Sequence, residues 1–402
     1  MKWEKVEIGK VSKVISGFAF KTIDFQPNGT PVIKIKNIKD ENIVLEESDC
    51  VDSSKEVPLR FHLGKGDILI SLTGSHITLP SSVVGRVAKY RHDTTSYLNQ
   101  RAGKFININH EKCIKDYLFY FLLQKETLTK IANKAQGAAN QANISPSDVE
   151  GVEITLPPLP TQRKIAGILS AYDDLIENNL KRIKLLEEKA FLMYKGIVKS
   201  EKEPKKLPLA QLATVTSSKR IFLSDYVEEG IPFYRSKEII TKSNFESIEK
   251  PLYITEERYT DIKEKFGVPV SGDLLITSVG TIGFVHLVND DDGDFYFKDG
   301  NLIWIKNLLQ QNLSYFLFFK FRTPEFKEML NTVAIGSSQK ALTIETVKKI
   351  EIEIPRDDSL IEFNQETKAI IKFIYNLQKQ NTKLREARDI LLPRFMNGQI
   401  EV

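Results

Sequence analysis

The side chains in this sequence that could make or break bonds are few and are not spaced to do so. Two cysteines, Cys50 and Cys113, and five scattered histidines offer neither a disulfide framework nor metal-ligand spacing. Gly17-Phe18-Ala19-Phe20-Lys21-Thr22 ends like a phosphate loop, but Ile15 and Phe20 stand where such a loop needs glycine. No Asn-Pro-Pro-aromatic motif for amino methylation is present, and Glu187-Glu188-Lys189 reads as the solvated face of a helix. The expectation is a chain without catalysis, metal or cofactor of its own. What the sequence does supply is cations and amides. Arg and Lys suit guanine edges and phosphate, while Asn and Gln suit adenine edges. Candidates for such contacts are Lys34, Lys36, His76, Thr78, Arg86, Arg101, Asn140 and Gln141 in the first half. In the second half they are Lys219, Arg220, Arg235, Lys237, Lys298, Ser338, Gln339 and Lys340.

Composition permits a polyanionic partner without demanding one. Lys and Arg number 57 against 53 Asp and Glu, a net charge of +4 in 402 residues, with a pI near 8.7. Hydrophobic residues make up 41% and charged residues 27%, the balance of a soluble globular protein. No apolar run approaches the roughly 18 to 20 residues of a membrane span. The start, Met1-Lys2-Trp3-Glu4-Lys5, lacks the apolar stretch of a signal peptide, so a cytoplasmic location is expected.

The elements that position those side chains are written twice. Asp67-Ile68-Leu69-Ile70-Ser71-Leu72-Thr73-Gly74 returns as Asp273-Leu274-Leu275-Ile276-Thr277-Ser278-Val279-Gly280. Gly85 and Gly283, Tyr117 and Tyr315, and Pro157 and Pro355 each lie 198 positions apart. So long a period means two whole domains rather than a solenoid of small units. Strands are expected over Val6 to Ile15 and Leu209 to Thr216. Pro31 to Lys36 and Pro232 to Lys237 read as half-exposed strands that offer cations on one edge. Gly66-Asp67 and Gly272-Asp273 turn into the apolar strands. Aromatic clusters at Tyr117 to Phe121 and Tyr315 to Phe319 open core-facing helices that lead to the polar, flexible loops Gln136 to Asn143 and Gly336 to Lys340. Ser145-Pro146-Ser147-Asp148 has the cap, first-turn proline and acid of a helix start. Val152 to Leu156 and Ile350 to Ile354 alternate as closing strands. The halves differ most between Gly74 and Gly85, where the first has eight more residues, and over Asn37 to Lys65.

Each half is followed by a helix with apolar residues at steps of four and three. After a stiff Pro157-Pro158-Leu159-Pro160 strut, the first seam is Ile165, Leu169, Tyr172, Ile176, Asn179, Ile183, Leu186, Ala190 and Met193. The second is Phe363, Thr367, Ile370, Ile374, Leu377, Asn381, Leu384, Arg388 and Leu391, with Pro393 ending it. This period is that of a coiled coil, and each seam holds one interior asparagine, costly to bury unless paired. An antiparallel register that pairs Asn179 with Asn381 also faces Leu169 with Leu391, Ile176 with Leu384, Ile183 with Leu377 and Leu186 with Ile374. It places Tyr172 against Arg388 as a stacked pair. From Ile165 to Met193 such a rod is roughly 43 Å long. One turn of duplex DNA is about 34 to 36 Å.

The whole arrangement resembles the specificity subunit of type I restriction-modification systems. Its most telling stretch is Leu156-Pro157-Pro158-Leu159-Pro160-Thr161-Gln162-Arg163-Lys164-Ile165-Ala166-Gly167-Ile168-Leu169, followed by the closing Leu391-Leu392-Pro393-Arg394-Phe395-Met396-Asn397-Gly398-Gln399-Ile400. In that family the position of Thr161 is commonly acidic, and Arg356-Asp357-Asp358-Ser359 departs further. The resemblance implies an α+β chain of two tandem, similar, mixed α/β target-recognition domains, each followed by a long helix, the helices pairing as an antiparallel coiled coil. The boundaries expected are 1–157 and 204–355 for the domains, and 158–203 and 356–402 for the spacer helices. It further implies that each domain reads one half of a bipartite double-stranded DNA target. The helices would set the half-site spacing and dock two modification methyltransferase subunits, joined by restriction translocase subunits. S-adenosylmethionine would sit on the partner methyltransferase. A different class, a tandem-module scaffold for protein or glycan, is separated by salt: only DNA binding should weaken steeply as salt is added.

Overall fold

In the computed structural model all residues are described except 1–2, 40, 47, 76–83, 139–140, 249, 311 and 337–339. The chain divides into two compact units, Met1–Asp174 with Leu384–Val402, and Leu175–Lys383.

In the first unit the main sheet runs Lys13–Ser16, Ala102–Ile106, Ile68–Ser71, Val87–Lys89, Asn42–Ile43, Ile38–Lys39, with the first four strands antiparallel. The repeated apolar run lies at its centre because it is covered on both faces. Ile68 and Ile70 pack with Tyr117 to Leu122, whereas Leu69 faces a separate core of Ile33, Tyr90 and Leu98. A second sheet pairs Thr30–Ile33 in parallel with Ser96–Leu98. Glu4–Glu7 and Glu153–Leu156 close the module.

The second unit repeats this plan. Its sheet runs Thr214–Thr216, Leu302–Lys306, Leu274–Thr277, Val285–Leu287, and Ile231–Tyr234 pairs in parallel with Tyr296–Phe297. Leu274 and Ile276 face the large core and Leu275 the smaller one. Duplication extends to the backbone: Gly66 and Gly272 turn at φ +89° and +97°, and Asn107 and Asn307 at +51° and +49°. These left-handed turns admit glycine freely and asparagine at modest cost.

Several local expectations are corrected. Val6 to Ile15 is two strands split by a short turn over Ile8–Lys10, and Leu209–Leu212 is a helical turn before the strand Thr214–Thr216. The strands from Pro31 and Pro232 stop at Ile33 and Tyr234. There the amides of Lys34 and Arg235 are captured at 2.9 Å by Asn37 Oδ1 and Glu238 Oε2, three residues on, and helical turns begin. Gln136 to Asn143 is no loose loop. Gln136–Ala138 and Gln141–Asn143 form a hairpin on Thr73–Gly74. The Ser145 cap is as read: its Oγ accepts from the Asp148 amide at 3.1 Å.

The central helix, Leu159–Ser200, takes in Leu159 and Pro160, so the expected strut is cut to Pro157 and Pro158. The last helix, Asp357–Met396, runs through Pro393. It ends instead where Gln399 N–H reaches the Arg394 carbonyl at 2.9 Å and Gly398 N–H that of Phe395 at 3.2 Å, with Gly398 at φ +74°.

The two helices pair antiparallel within each unit. In the second unit Asn179 Nδ2 donates to Asn381 Oδ1 at 2.9 Å, both side chains buried. Ile183, Ile370, Ile374 and Leu377 are buried beside them, with Leu186 half-buried against the same core. In the first unit Ile165 and Leu169 are buried with Leu391 packed on their cluster. Ile176 is buried, and Tyr172 and Leu384 are half-buried. Arg388 does not stack on Tyr172 as expected. Its guanidinium turns to carboxylates, Asp173 Oδ1 at 2.7 Å and Glu41 Oε1 at 3.0 Å, because charge-assisted hydrogen bonds in a buried site outweigh a ring contact.

Candidate nucleic-acid interface

The predicted contact residues gather at two places in the first unit, and at the first of these places in the second unit as well. The first lies at the end of the parallel strand pair. Lys34 and Lys36 converge on Asp49 Oδ2, at 2.9 and 3.1 Å, and Lys34 also lies 3.6 Å from the Phe25 ring centroid. The Lys34 hydrogen bond leads in holding the Asp49 carboxyl below the usual carboxylate range. Both lysines remain partly exposed, so an incoming phosphate has only to displace one surface carboxylate.

At the matching place in the second unit, Arg235 holds Glu238 bidentately, Nη2 to Oε1 at 2.9 Å and Nε to Oε2 at 3.2 Å. Burial pushes Glu238 up, but the bonds from Arg235 outweigh it and leave the carboxyl lowered. Arg235 is therefore aimed by its neighbour with part of its edge in solvent. Lys237 is exposed on the same turn, and the exposed Lys298 joins them, its amide donating to the Tyr234 carbonyl at 2.9 Å.

The second cluster surrounds the Ser71–Gly74 segment. Arg86 N–H donates to Ser71 Oγ at 2.9 Å, the Arg101 carbonyl accepts from Leu72 N–H at 2.9 Å, and the strand that carries Gln141 pairs with Thr73 and Gly74. Three residues up to 55 positions apart in sequence thus meet at one short segment. In the second unit the carbonyl of Lys340 accepts from Gly280 N–H at 3.0 Å, while Lys340 Nζ turns back to the Asn331 carbonyl at 3.1 Å.

Asn301 was missed by the sequence reading. Its carbonyl accepts from Ser278 N–H at 2.9 Å, so it stands where Arg101 stands in the first unit. Aligning Leu302–Lys306 with Ala102–Ile106 would have found it. Lys219 and Arg220 belong to neither cluster; they are exposed, with Lys219 4.5 Å from the Phe266 ring and Arg220 5.7 Å from that of Phe222. His76, Thr78, Asn140, Ser338 and Gln339 lie outside the described residues.

Cations offered at the matching place of two copies of one topology, with helices antiparallel in both units, describe a recognition protein. The model of the "Type I restriction modification DNA specificity domain" matches residues 1–188 and 201–392. The chain belongs to that family.

The putative specificity subunit of the MjaX type I restriction enzyme from Methanocaldococcus jannaschii is 25% identical over 422 aligned positions, covering 100% of this chain and 94% of that one. A putative type I specificity subunit from Haemophilus influenzae, S.HindORF215P, is 26% identical over 269 residues, 63% of this chain and 65% of that protein's own length. The fold is that of the type I restriction-modification S subunit crystallised from M. genitalium, with a TM-score of 0.59 at 16% identity, covering 98% and 96% of the two chains.

In this specificity-family chain a buried guanidinium ties each recognition module to its helices. In the first unit Asp173 of the central helix accepts from Arg388 and also from Arg91 at 2.8 Å and Tyr120 at 2.7 Å. Burial pushes the partner carboxyl of Glu41 up to about 7, against the pull of Arg388. In the second unit Arg322 pairs with Glu187 of the central helix and donates to the Ser243 carbonyl at 2.6 Å. It also lies 4.9 Å from the Phe318 ring centroid and 5.2 Å from that of Phe245. Among the described residues no helix is long and apolar enough to cross a membrane.

Proposed function

We propose that the chain is the DNA sequence-recognition subunit of a type I restriction-modification assembly. Each module reads one half of a bipartite double-stranded target. The paired helices set the half-site spacing and dock two methyltransferase subunits, which restriction translocase subunits join. The chain itself performs no catalysis, and S-adenosylmethionine belongs to the methyltransferase partner.

The observation that carries this reading is the duplication of one module with different side chains at equivalent places. Lys34 is matched by Arg235, and Arg101 by Asn301. Two copies of one scaffold with unlike hydrogen-bonding groups suit two unlike short sequences. Phosphate-directed lysines position such a module, and its arginines and amides specify.

Co-expression with the methyltransferase partner, followed by mapping of methylated adenines, tests it. The expected result is two short motifs at one fixed spacing. Scattered methylation, or none, overturns the reading. Within the complex, Arg235→Ala should degrade only one of the two motifs.

A further inference from the structure

The stretch Gly17 to Thr22, whose likeness to a phosphate loop fails, leads into a feature that both modules share. Gly17 lies against the turn after Ser96–Leu98, and Phe18 and Phe20 help form a small aromatic core with Phe61 and Tyr97. From that core a single helical turn, Thr22–Asp24, projects outward. Its tip is Ile23, 89% exposed.

The second module builds the same turn over Leu223–Asp225, where Ser224 stands at the place of Ile23 and the exposed apolar side chains come just before it, Leu223 88% exposed and Phe222 56%. Among the described residues Ile23 and Leu223 are the most exposed large apolar side chains, ahead of Leu59 at 82%. The turns are ordered by the same device. Asp24 Oδ2 accepts from Lys21 N–H at 2.8 Å, and Asp225 Oδ2 from Phe222 N–H at 2.9 Å. Each aspartate is also held by a cation, Lys55 at 2.9 Å in one case and Arg258 at 3.7 Å in the other. Nothing in the core requires an apolar side chain at either tip.

The surroundings say what it meets. Lys21 flanks the first tip, and Lys34 lies over the ring of Phe25, one residue past the turn. Lys219 and Arg220 lead into the second, with the Arg220 guanidinium beside the Phe222 ring. The two aspartates of the turns are taken up as caps, and Glu228 and Glu229 lie beyond the strand Tyr226–Val227 that follows the second turn. One or two apolar side chains ringed by cations make too small a patch for a protein interface. They suit a polyanion with apolar surface between its charges, and duplex DNA has that: base faces and thymine methyls between phosphates.

We propose that these two turns are apolar DNA-contacting fingers. Ile23 enters the groove at one half-site and Leu223 with Phe222 at the other, while the flanking lysines and arginines take phosphates. This rests on the DNA-recognition reading above.

The test uses the full chain co-purified with its methyltransferase, and duplexes carrying the motif that methylation mapping of the wild-type complex defines. Ile23→Ser, and separately Phe222→Ser with Leu223→Ser, should each weaken binding about tenfold or more, the scale of one buried aliphatic group. The slope of affinity against salt should stay unchanged, because no phosphate contact is lost. Mapping should show only the half-site of the altered module degraded, and Ile23→Val should restore most of the affinity. Unchanged affinity and motifs overturn the inference, as does loss of the methyltransferase from the complex with DNA preference intact, which would make the tips a protein contact. A wild-type complex without a bipartite motif overturns the function reading itself, and the fingers with it.

Discussion

Arg388→Met removes the guanidinium that joins the last helix to the first module, while its long apolar stem is kept. Asp173 retains Arg91 and Tyr120, so the group left without its cation is Glu41. Breaking a buried ion pair from one side costs about 3 to 5 kcal/mol. Here the cost has a ceiling that depends on pH. Burial already pushes the Glu41 carboxyl up to about 7 with Arg388 present, and without it the carboxyl rises further and escapes by taking a proton. A carboxyl raised in the folded state contributes stability that is whole below its unfolded value, near 4.5. That contribution is lost as pH climbs through its folded value. The variant should therefore lose about 3 kcal/mol at pH 8 and clearly less, about 1 to 2 kcal/mol, at pH 5.5. The chain has two tryptophans, Trp3 in the first unit and Trp304 in the second, so a Trp304→Phe background lets fluorescence report the first unit alone. With a urea slope of about 2 to 3 kcal/mol/M, the midpoint should fall by about 1 to 1.5 M at pH 8. Adding Glu41→Gln should recover part of that loss. A shift of equal size at pH 5.5 and pH 8, or no recovery from Glu41→Gln, refutes the reasoning.

In a double-mutant cycle of Asn179→Leu and Asn381→Leu, the amide pair should show a coupling near 1 kcal/mol by urea unfolding, and independent effects would mean that the 2.9 Å bond contributes nothing. Gly17→Ala should lower the thermal midpoint of the first unit by several degrees, since an added Cβ would lie 2.3 Å from the Leu98 carbonyl oxygen. In the second unit burial pushes Asp292 up, but His286 and then Lys242 outweigh it and hold the carboxyl well below the usual range. Its contribution is present above pH 3.8 and lost as pH falls through the lowered value. Lys242→Met should therefore move acid unfolding, followed by circular dichroism, to higher pH, and an unmoved acid transition would contradict this.

The repeat was legible because it rests on identities a reader can align: Asp67 to Gly74 with Asp273 to Gly280. The coiled-coil register was legible for a related reason. One asparagine in each apolar stripe has only one way to hide, and that pairs Asn179 with Asn381. Strand ends were not legible at Ile33 and Tyr234, since alternation continues through Lys34 to Lys36 while the side chain of Asn37 or Glu238 decides the matter by capping. Gln136 to Asn143 looked like loop because its polar residues hide the pairing of Asn143 and Ala142 with Thr73 and Gly74, 70 and 68 positions earlier. The candidate contacts were legible as residue types and not as clusters; Arg86, Arg101 and Gln141 meet only through the strand that each neighbours.

Sequence alone thus determined the duplication, the order of module and helix, and the polar pair inside the seam. Periodicity and identity are properties of residue order and survive without a fold. Tertiary structure decided which cations are clamped and which are offered. Asp49 draws Lys34 and Lys36, Arg388 reaches Glu41 across 347 positions, and Ile23 stands in solvent beside phenylalanines that do not. Partner choice among charges and exposure of an apolar side chain depend on distances set by chain segments far apart in sequence, and no local pattern encodes them.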